Sequence, residues 1–265
     1  MRGPAPILLR LLRDALWFAA PFLLLIGAWW ATVRISGVPL RVFPAPADVA
    51  QALEAQARTG SLMIHVSASL RRVVVGASLA IAASIPLGVA IGTNRNVAAL
   101  FTPILRFFSV LAGIAWIPLA TLWFGYGFGA ITFIIFNAVF FIVLYNTILG
   151  VTRIPQPLRD AARSLGANRR QVLVEVLLPG ALPNIVTGIR TGMGFAWRGL
   201  IAAEIIATNA GLGYMLFLAR DFYRTEVIVL GMILIGVIWV LLDRLLLAPV
   251  ERRTIERWGL ARPVP

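Results

Sequence analysis

The chain has 265 residues, of which 60% are hydrophobic and 13% charged, with a formal net charge of +13 and a mean hydropathy of +0.88. A water-soluble domain carries about 45–50% apolar residues, so this chain has too little polar surface to coat a soluble globule, and its place is in lipid. All 24 basic residues are arginine and there is no cysteine, which excludes a G-x-x-x-x-G-K-[ST] phosphate loop, Schiff-base chemistry, disulfides, thiolate metal sites and thiol nucleophiles; a single His65 is too few for a histidine metal site.

A membrane-spanning helix needs about 20 mostly apolar residues, and six runs qualify: 15–35, 73–92, 97–124, 130–151, 184–207 and 227–247. The first follows Arg2, Arg10 and Arg13 as a leader would, but it exceeds the roughly 7–15 apolar residues of a cleaved segment and reads as an uncleaved span. Residues 1–14 precede it. In the loop 36–61, Pro44 and Pro46 break the chain, and Asp48 opens a short helix running to Arg58 with Val49 and Leu53 on one face. The second span can begin as early as Ser67, with His65 at its outer end and no chemical role. The third and fifth spans carry Pro118 and Gly188, Gly192, Gly194 and Gly199, as broken or pore-lining helices do. Gly192 and Gly194 also suit close helix packing. Trp29, Trp30, Trp239 and Trp258 read as interface anchors.

Arginine counting sets the orientation. With the N-terminus inside, the inner segments hold Arg2, Arg10, Arg13, Arg95, Arg153, Arg159, Arg163, Arg169 and Arg170. The tail 248–265 adds Arg252, Arg253, Arg257 and Arg262, and Arg244 stands just before it. Arg34, Arg41, Arg58, Arg71 and Arg72 fall around the first outer loop, and Arg220 and Arg224 in the last. Both termini are expected inside. Past Pro249, Glu251, Arg252, Arg253, Glu256 and Arg257 suit a short surface helix.

Residues 152–183 interrupt the apolar pattern. Pro155 and Pro157 stop the fourth span and open a new helix, since proline suits a first helical turn. Asp160 is expected near that helix's N-terminus, where negative charge is favoured. Gly166 ends it, Asn168-Arg169-Arg170-Gln171 reads as a capping box starting the next, and Pro179 and Pro183 are expected to end that one before the fifth span. Leu158, Ala161, Ala162 and Leu165 then form one apolar side that wants a groove.

This hairpin resembles the EAA loop of permease subunits in binding-protein-dependent ABC importers. Asp160-Ala161-Ala162, Gly166, Val176 and Leu178-Pro179 stand at that family's spacing, with Asp in place of Glu. Phe43-Pro44-Ala45-Pro46, His65-Val66-Ser67-Ala68-Ser69-Leu70-Arg71-Arg72, Ile85-Pro86-Leu87-Gly88, Ala115-Trp116-Ile117-Pro118-Leu119 and Gly211-Leu212-Gly213-Tyr214 are similar to the subfamily importing sulfonates, taurine, nitrate and bicarbonate. The resemblance implies an all-α type I importer fold with six transmembrane helices, both termini cytosolic, a permease domain over 15–247 and a coupling loop over 152–183. It implies docking of a separate ATPase through Pro157, Leu158, Asp160, Ala161, Ala162, Leu165, Gly166 and Ala167. A second permease copy, as a homodimer, and an extracytoplasmic solute-binding protein complete the assembly in a bacterial cytoplasmic membrane. This chain is expected to hold no cofactor, with ATP and Mg bound by the ATPase. The subfamily also takes aromatic or heterocyclic nutrients, which is the alternative for the substrate. A stand-alone secondary transporter is a further alternative, with Glu204 its only candidate for a midplane carboxylate.

Arg106, Asn137, Asn146, Arg190, Arg198, Glu204 and Asp243 fall in or near apolar spans and must face protein, water or an interface. Arg198 and Glu204 lie about 240° apart around one helix, so they are poor partners for each other. Arg198 either attracts an anion or sits in a structural ion pair. Asn137 and Asn146 can bond across helices, and Asp243 beside Arg244 reads as the inner end of the last span. The pathway candidates are Trp116, Asn137, Arg198 and Glu204.

Overall fold

The computed structural model describes residues 7–35, 37, 39, 42–111 and 113–257, with side chains from residue 20 onward except 22, 253 and 255–257. Trp258 therefore lies outside the described residues. Within them all regular structure is helical: α1 (Ile7–Ile35), α2 (Pro46–Arg58), α3 (Ser61–Thr93), α4 (Arg95–Val110), a 3-10 turn (Gly113–Trp116), α5 (Ile117–Phe124) and α6 (Phe128–Thr152). Then follow α7 (Gln156–Ser164), α8 (Arg169–Gln171), a π turn (Val172–Leu177), α9 (Leu178–Ala207), α10 (Leu212–Asp221), α11 (Thr225–Leu242), a second π turn (Asp243–Leu247) and α12 (Ala248–Arg257).

Four helical runs are long and apolar enough to cross a membrane: Ser61–Thr93, Phe128–Thr152, Arg169–Ala207 and Thr225–Arg252. A fifth results if the two arms Arg95–Val110 and Gly113–Phe124, which meet at 89°, count as one broken span. The predicted 15–35 span lies inside α1, a 29-residue helix.

Two boundaries differ from expectation. α3 begins at Ser61, so Arg71 and Arg72 belong to a helix and not to the preceding loop. Pro179 and Pro183 do not end a helix before the fifth span: Arg169–Ala207 is one 39-residue rod. Its π turn widens the backbone so that Leu178 N–H donates to Leu173 O, and Pro179 then occupies the opening turn of α9, where the missing N–H is least missed. The helix expected past Pro249 is α12, which begins at Ala248 and continues the run from Thr225 through the second π turn. α10, unexpected from the apolar pattern, fills the connection between the last two spans.

The chain divides into two compact units, Met1–Leu62 with Leu216–Ile233, and Met63–Met215 with Leu234–Pro265. In the first, the Asp48 carboxylate accepts the N–H of Ala45 at 2.9 Å and so caps α2. The buried face of α2 is Val49 and Ala52, while Leu53, expected beside Val49, is exposed. Trp29 Nε1 donates to Pro44 O at 3.1 Å.

The second unit is built around α6, which packs chiefly on α9. Lipid is as apolar as leucine, so helices associate here through close packing at small residues. A Cβ at Gly188 would lie 2.6 Å from Asn146 Cβ, and one at Gly88 2.7 Å from Thr147 Cβ. Val89, Val151, Ala181 and Ile185 join α3, α6 and α9 in one buried cluster. Asn146 does not bond across this packing; its amide donates to Ile142 O of its own helix at 2.8 Å.

Candidate functional site

The α7 hairpin folds through local rules. Pro155 ends the preceding chain and Pro157 stands in the first turn of α7. Gly166, at φ +90, closes it: Gly166 N–H donates to Arg163 O at 2.9 Å and Ala167 N–H to Ala162 O at 3.0 Å. That pair of bonds is a Schellman motif, which needs a left-handed residue at this position. Asn168 and Gln171 then cap each other reciprocally at 2.8 and 2.9 Å. Arg159 donates to Val151 O at 2.6 Å, tying α7 to the end of α6.

Ala162 and Ala167 pack onto Ile154, Val172 and Leu177, so Ala162 belongs to the hairpin's own core and not to its outer face. Leu158 and Leu165 point outward, 54% and 89% exposed, with Ala161 exposed between them. Asp160 lies in the second turn, because α7 starts at Gln156 and has no acid in its first turn. It is exposed, 3.9 Å from Arg163 and 3.4 Å from the Gln156 amide. A cleft of about 600 Å³ opens at the base of the hairpin, lined in part by Arg153, Leu158, Glu175, Pro179 and Asn184.

At the other end of the Arg169–Ala207 rod sits a buried polar knot. Glu204 is 0% exposed. Its carboxylate accepts from Arg72 Nη1 at 2.7 Å, from the Ser69 hydroxyl at 2.8 Å and from Gly213 N–H at 3.0 Å. Arg72 also donates to Ala210 O at 2.6 Å and Thr208 Oγ1 at 2.8 Å. Leu212 N–H donates to Ser69 Oγ at 2.9 Å and Gly211 N–H to His65 Nδ1 at 3.1 Å. The opening N–H groups of a helix have no partner within it. Here the three that begin α10 are met by His65 and Ser69 of α3 and Glu204 of α9. A Cβ at Gly211 would come within 2.3 Å of the Glu204 carboxyl, and one at Gly213 within 2.5 Å of Ile201 O, so both positions exclude any larger residue.

Two expectations fail at this knot. Glu204 lines no pathway, because its carboxylate is consumed by protein donors. His65 has a role, as a hydrogen-bond acceptor. Ser69 and Arg72 were missed as its partners; the available signal was the spacing His65, Ser69, Arg72 at i, i+4 and i+7, which puts all three on one helix face.

A second polar group lies further down α9. Arg190 binds Asp243 through two nitrogens at 2.7 and 2.8 Å and also binds Glu251. It thereby fastens α9 to the second π turn and α12. Asp243 is thus an ion-pair partner and not simply the end of a span. A cleft of about 460 Å³ runs along this face of α9, lined by Thr187, Arg190, Thr191, Gly194, Phe195 and Arg198, with Trp239, Asp243 and Glu251 opposite. Arg198 is exposed and rests over the Phe195 ring at 5.6 Å. Trp239 is half-buried, its ring 6.3 Å from that of Trp197 and tilted by 32°. Of the other pathway candidates, Trp116 is half-buried among Phe108, Trp123 and Phe133, and Asn137 is half-buried on α6. Neither lines the Arg198 cleft, so the four candidates are not brought together.

Residues 84–254 match the family described as binding-protein-dependent transport system inner membrane component. The chain is 36% identical over 234 residues to the taurine transport system permease protein TauC of Escherichia coli, covering 86% of this chain and 85% of that one. It is 37% identical over 194 residues to the bicarbonate transport system permease protein CmpB of Synechococcus elongatus, covering 73% and 68%. Among solved structures it is similar to a chain of the MetNI methionine ABC transporter in an inward facing conformation, with a TM-score of 0.64, 18% identity and coverage of 78% and 99%. At that identity the structural likeness speaks for the fold alone.

Proposed function

The chain belongs to the family of binding-protein-dependent transport system inner membrane components, the permease subunits of ABC importers, and from that premise we propose that it forms the membrane pathway for a small anionic solute. The class is that of an aliphatic sulfonate, taurine, nitrate or bicarbonate. Its support is the similarity to relatives whose names state taurine and bicarbonate transport. A separate ATPase, binding ATP and Mg, supplies the work; a second copy of this chain completes the pathway; and an extracytoplasmic binding protein delivers the solute. The setting is a bacterial cytoplasmic membrane, crossed six times, with α1 and the bent pair as first and third spans and both termini cytosolic. This chain itself holds no cofactor.

One observation carries the reading. The α7 hairpin is held shut by its own Schellman turn, capping box and small core, yet it leaves Leu158, Ala161 and Leu165 bare. Such a preformed apolar face suits a groove on another protein. Mechanism follows from how the hairpin is fixed. Arg159 ties it to α6, and the Ile154, Val172 and Leu177 core ties it to the base of the Arg169–Ala207 rod. A push on α7 by a closing ATPase therefore turns or tilts a single rod that carries Arg190, Arg198 and Glu204. Co-purification tests this. Leu165→Asp and Gly166→Glu should each release the ATPase while the permease keeps its elution profile. An ATPase retained by both variants contradicts the reading.

A further inference from the structure

Arg198 stands nine residues before Ala207, the last residue of α9, which is about 13 Å at 1.5 Å per residue. In a hydrocarbon core of roughly 30 Å that is close to mid-depth, too far in for lipid headgroups to neutralise it. Its guanidinium is exposed and leans on Phe195; among the described residues it has no ion-pair partner. The described acids of the spans are already engaged. Glu204 is fully buried on Ser69, Arg72 and Gly213, and Asp243 and Glu251 bind Arg190. Asp48, Glu54, Asp160, Glu175, Asp221 and Glu226 lie outside the apolar spans or toward their ends. A second copy of the chain brings the same set, so an identical partner has no described acid to offer Arg198. The charge calls for a counter-ion that arrives and leaves.

The surroundings fit one. Thr187, Thr191, Gly194, Phe195 and Arg198 follow the helical repeat along one face of α9, and the cleft they share holds about 460 Å³. Gly194 leaves room beside Trp239, whose ring a Cβ there would touch at 3.4 Å. A guanidinium fork matches two oxygens of a planar or tetrahedral oxyanion. The Thr191 hydroxyl adds a donor, that of Thr187 being turned to Glu251, and Phe195 and Trp239 offer an apolar wall to a short alkyl tail. We propose that this cleft is an oxyanion subsite within the pathway, in which Arg198 receives the head group of a monovalent sulfonate-, carboxylate- or bicarbonate-like solute. It rests on the reading of the chain as a permease for small anions.

The absence of native cysteine makes the test direct. Thr191→Cys and, as a reference, the exposed Val42→Cys are introduced singly, and the intact complex is purified through this chain into nanodiscs. Each is treated with two methanethiosulfonate reagents of similar size, one ending in an ethylsulfonate and one in a trimethylammonium group. Any effect of Arg198 on thiol ionisation cancels in the ratio of the two rates. The anionic-to-cationic ratio should be about ten-fold higher at Thr191→Cys than at Val42→Cys, and adding Arg198→Gln should remove most of that preference, as expected for one unscreened charge at this range. Arg198→Lys should retain it. A ratio indifferent to Arg198→Gln, or a Thr191→Cys that neither reagent modifies, overturns the subsite. An ATPase still bound to the complex in those cases separates loss of the subsite from loss of the importer reading.

Discussion

Glu204 shows how much a single buried carboxylate organises here. It joins α3, α9 and the start of α10 through bonds from Ser69, Arg72 and Gly213. Removing one member of a buried ion pair leaves the other charge without compensation and costs about 3–5 kcal/mol. Arg72→Ala and Glu204→Ala should therefore each lower the melting temperature of the solubilised protein sharply. The double substitution should lose less than the sum, because no orphan charge remains; strict additivity would mean that the 2.7 Å contact carries no coupling. Ser69→Ala removes the acceptor of Leu212 N–H and should cost about 1–3 kcal/mol, the desolvation of one unpaired buried group. Gly213→Ala should be worse than its one methyl suggests, since its Cβ would meet the backbone oxygen of Ile201 at 2.5 Å and a backbone atom cannot swing aside. Fluorescence-detected size exclusion after a temperature ramp ranks all five variants. The knot was half legible in the sequence. Its residues stand in three polar islands, at 65–72, at 204 and at 208–213, but hydropathy says only that a buried glutamate needs partners. It does not say that a third segment folds back to bring its helix N-terminus to the carboxylate.

Among the elements, the α7 hairpin was the most legible, because its signals are local: proline in the first turn, a glycine with φ +90, a reciprocal Asn168–Gln171 cap. Two details escaped. The apolar stripe of α7 splits, with Ala162 taken inward, because a helix this short shares its core with the chain on both sides. The rod from Arg169 to Ala207 also escaped, since two prolines argue for a stop, whereas a π turn leads into Pro179 and α9 carries on through Pro183. Local determinants predict local effects. Asn168→Ala should lose about 1 kcal/mol of capping and raise amide exchange at Gln171 several-fold, with the α3 and α6 amides unchanged. Gly166→Ala places a Cβ in a left-handed turn at a cost of about 1–2 kcal/mol, and should loosen the same hairpin without disturbing the Glu204 knot at the far end of the rod. Hydrogen exchange read peptide by peptide distinguishes this local loosening from global destabilisation.

For the whole molecule, the apolar runs of the sequence predict six membrane segments, while length and composition qualify four of the described helical runs, or five with the bent pair. Parity decides what that difference means. The run Arg169–Ala207 follows Leu165, and Val250 stands two residues before the end of the run Thr225–Arg252, so these two positions share a side of the membrane whatever happens upstream. Going back from Leu165, α6 crosses once and brings the chain out. If Arg95–Val110 with Gly113–Phe124 crosses despite its 89° bend, Arg95 returns to the side of Leu165, and α3 then carries Val42 to the opposite side. If the bent pair instead enters and leaves by one face, Arg95 lies opposite Leu165, and Val42 lies with it. Single cysteines at Arg95, Leu165, Val42 and Val250 resolve the two cases with an impermeant maleimide applied to sealed vesicles of known orientation. Six crossings with both ends inside require Arg95→Cys, Leu165→Cys and Val250→Cys to react from the cytosolic side and Val42→Cys only from the other. That pattern also places the bare face of α7 where a nucleotide-hydrolysing partner can reach it. Labelling of Val42→Cys together with Leu165→Cys would make the 95–124 segment re-entrant and reduce the crossings to five or fewer. Labelling of Leu165→Cys from outside would leave the α7 hairpin without access to ATP.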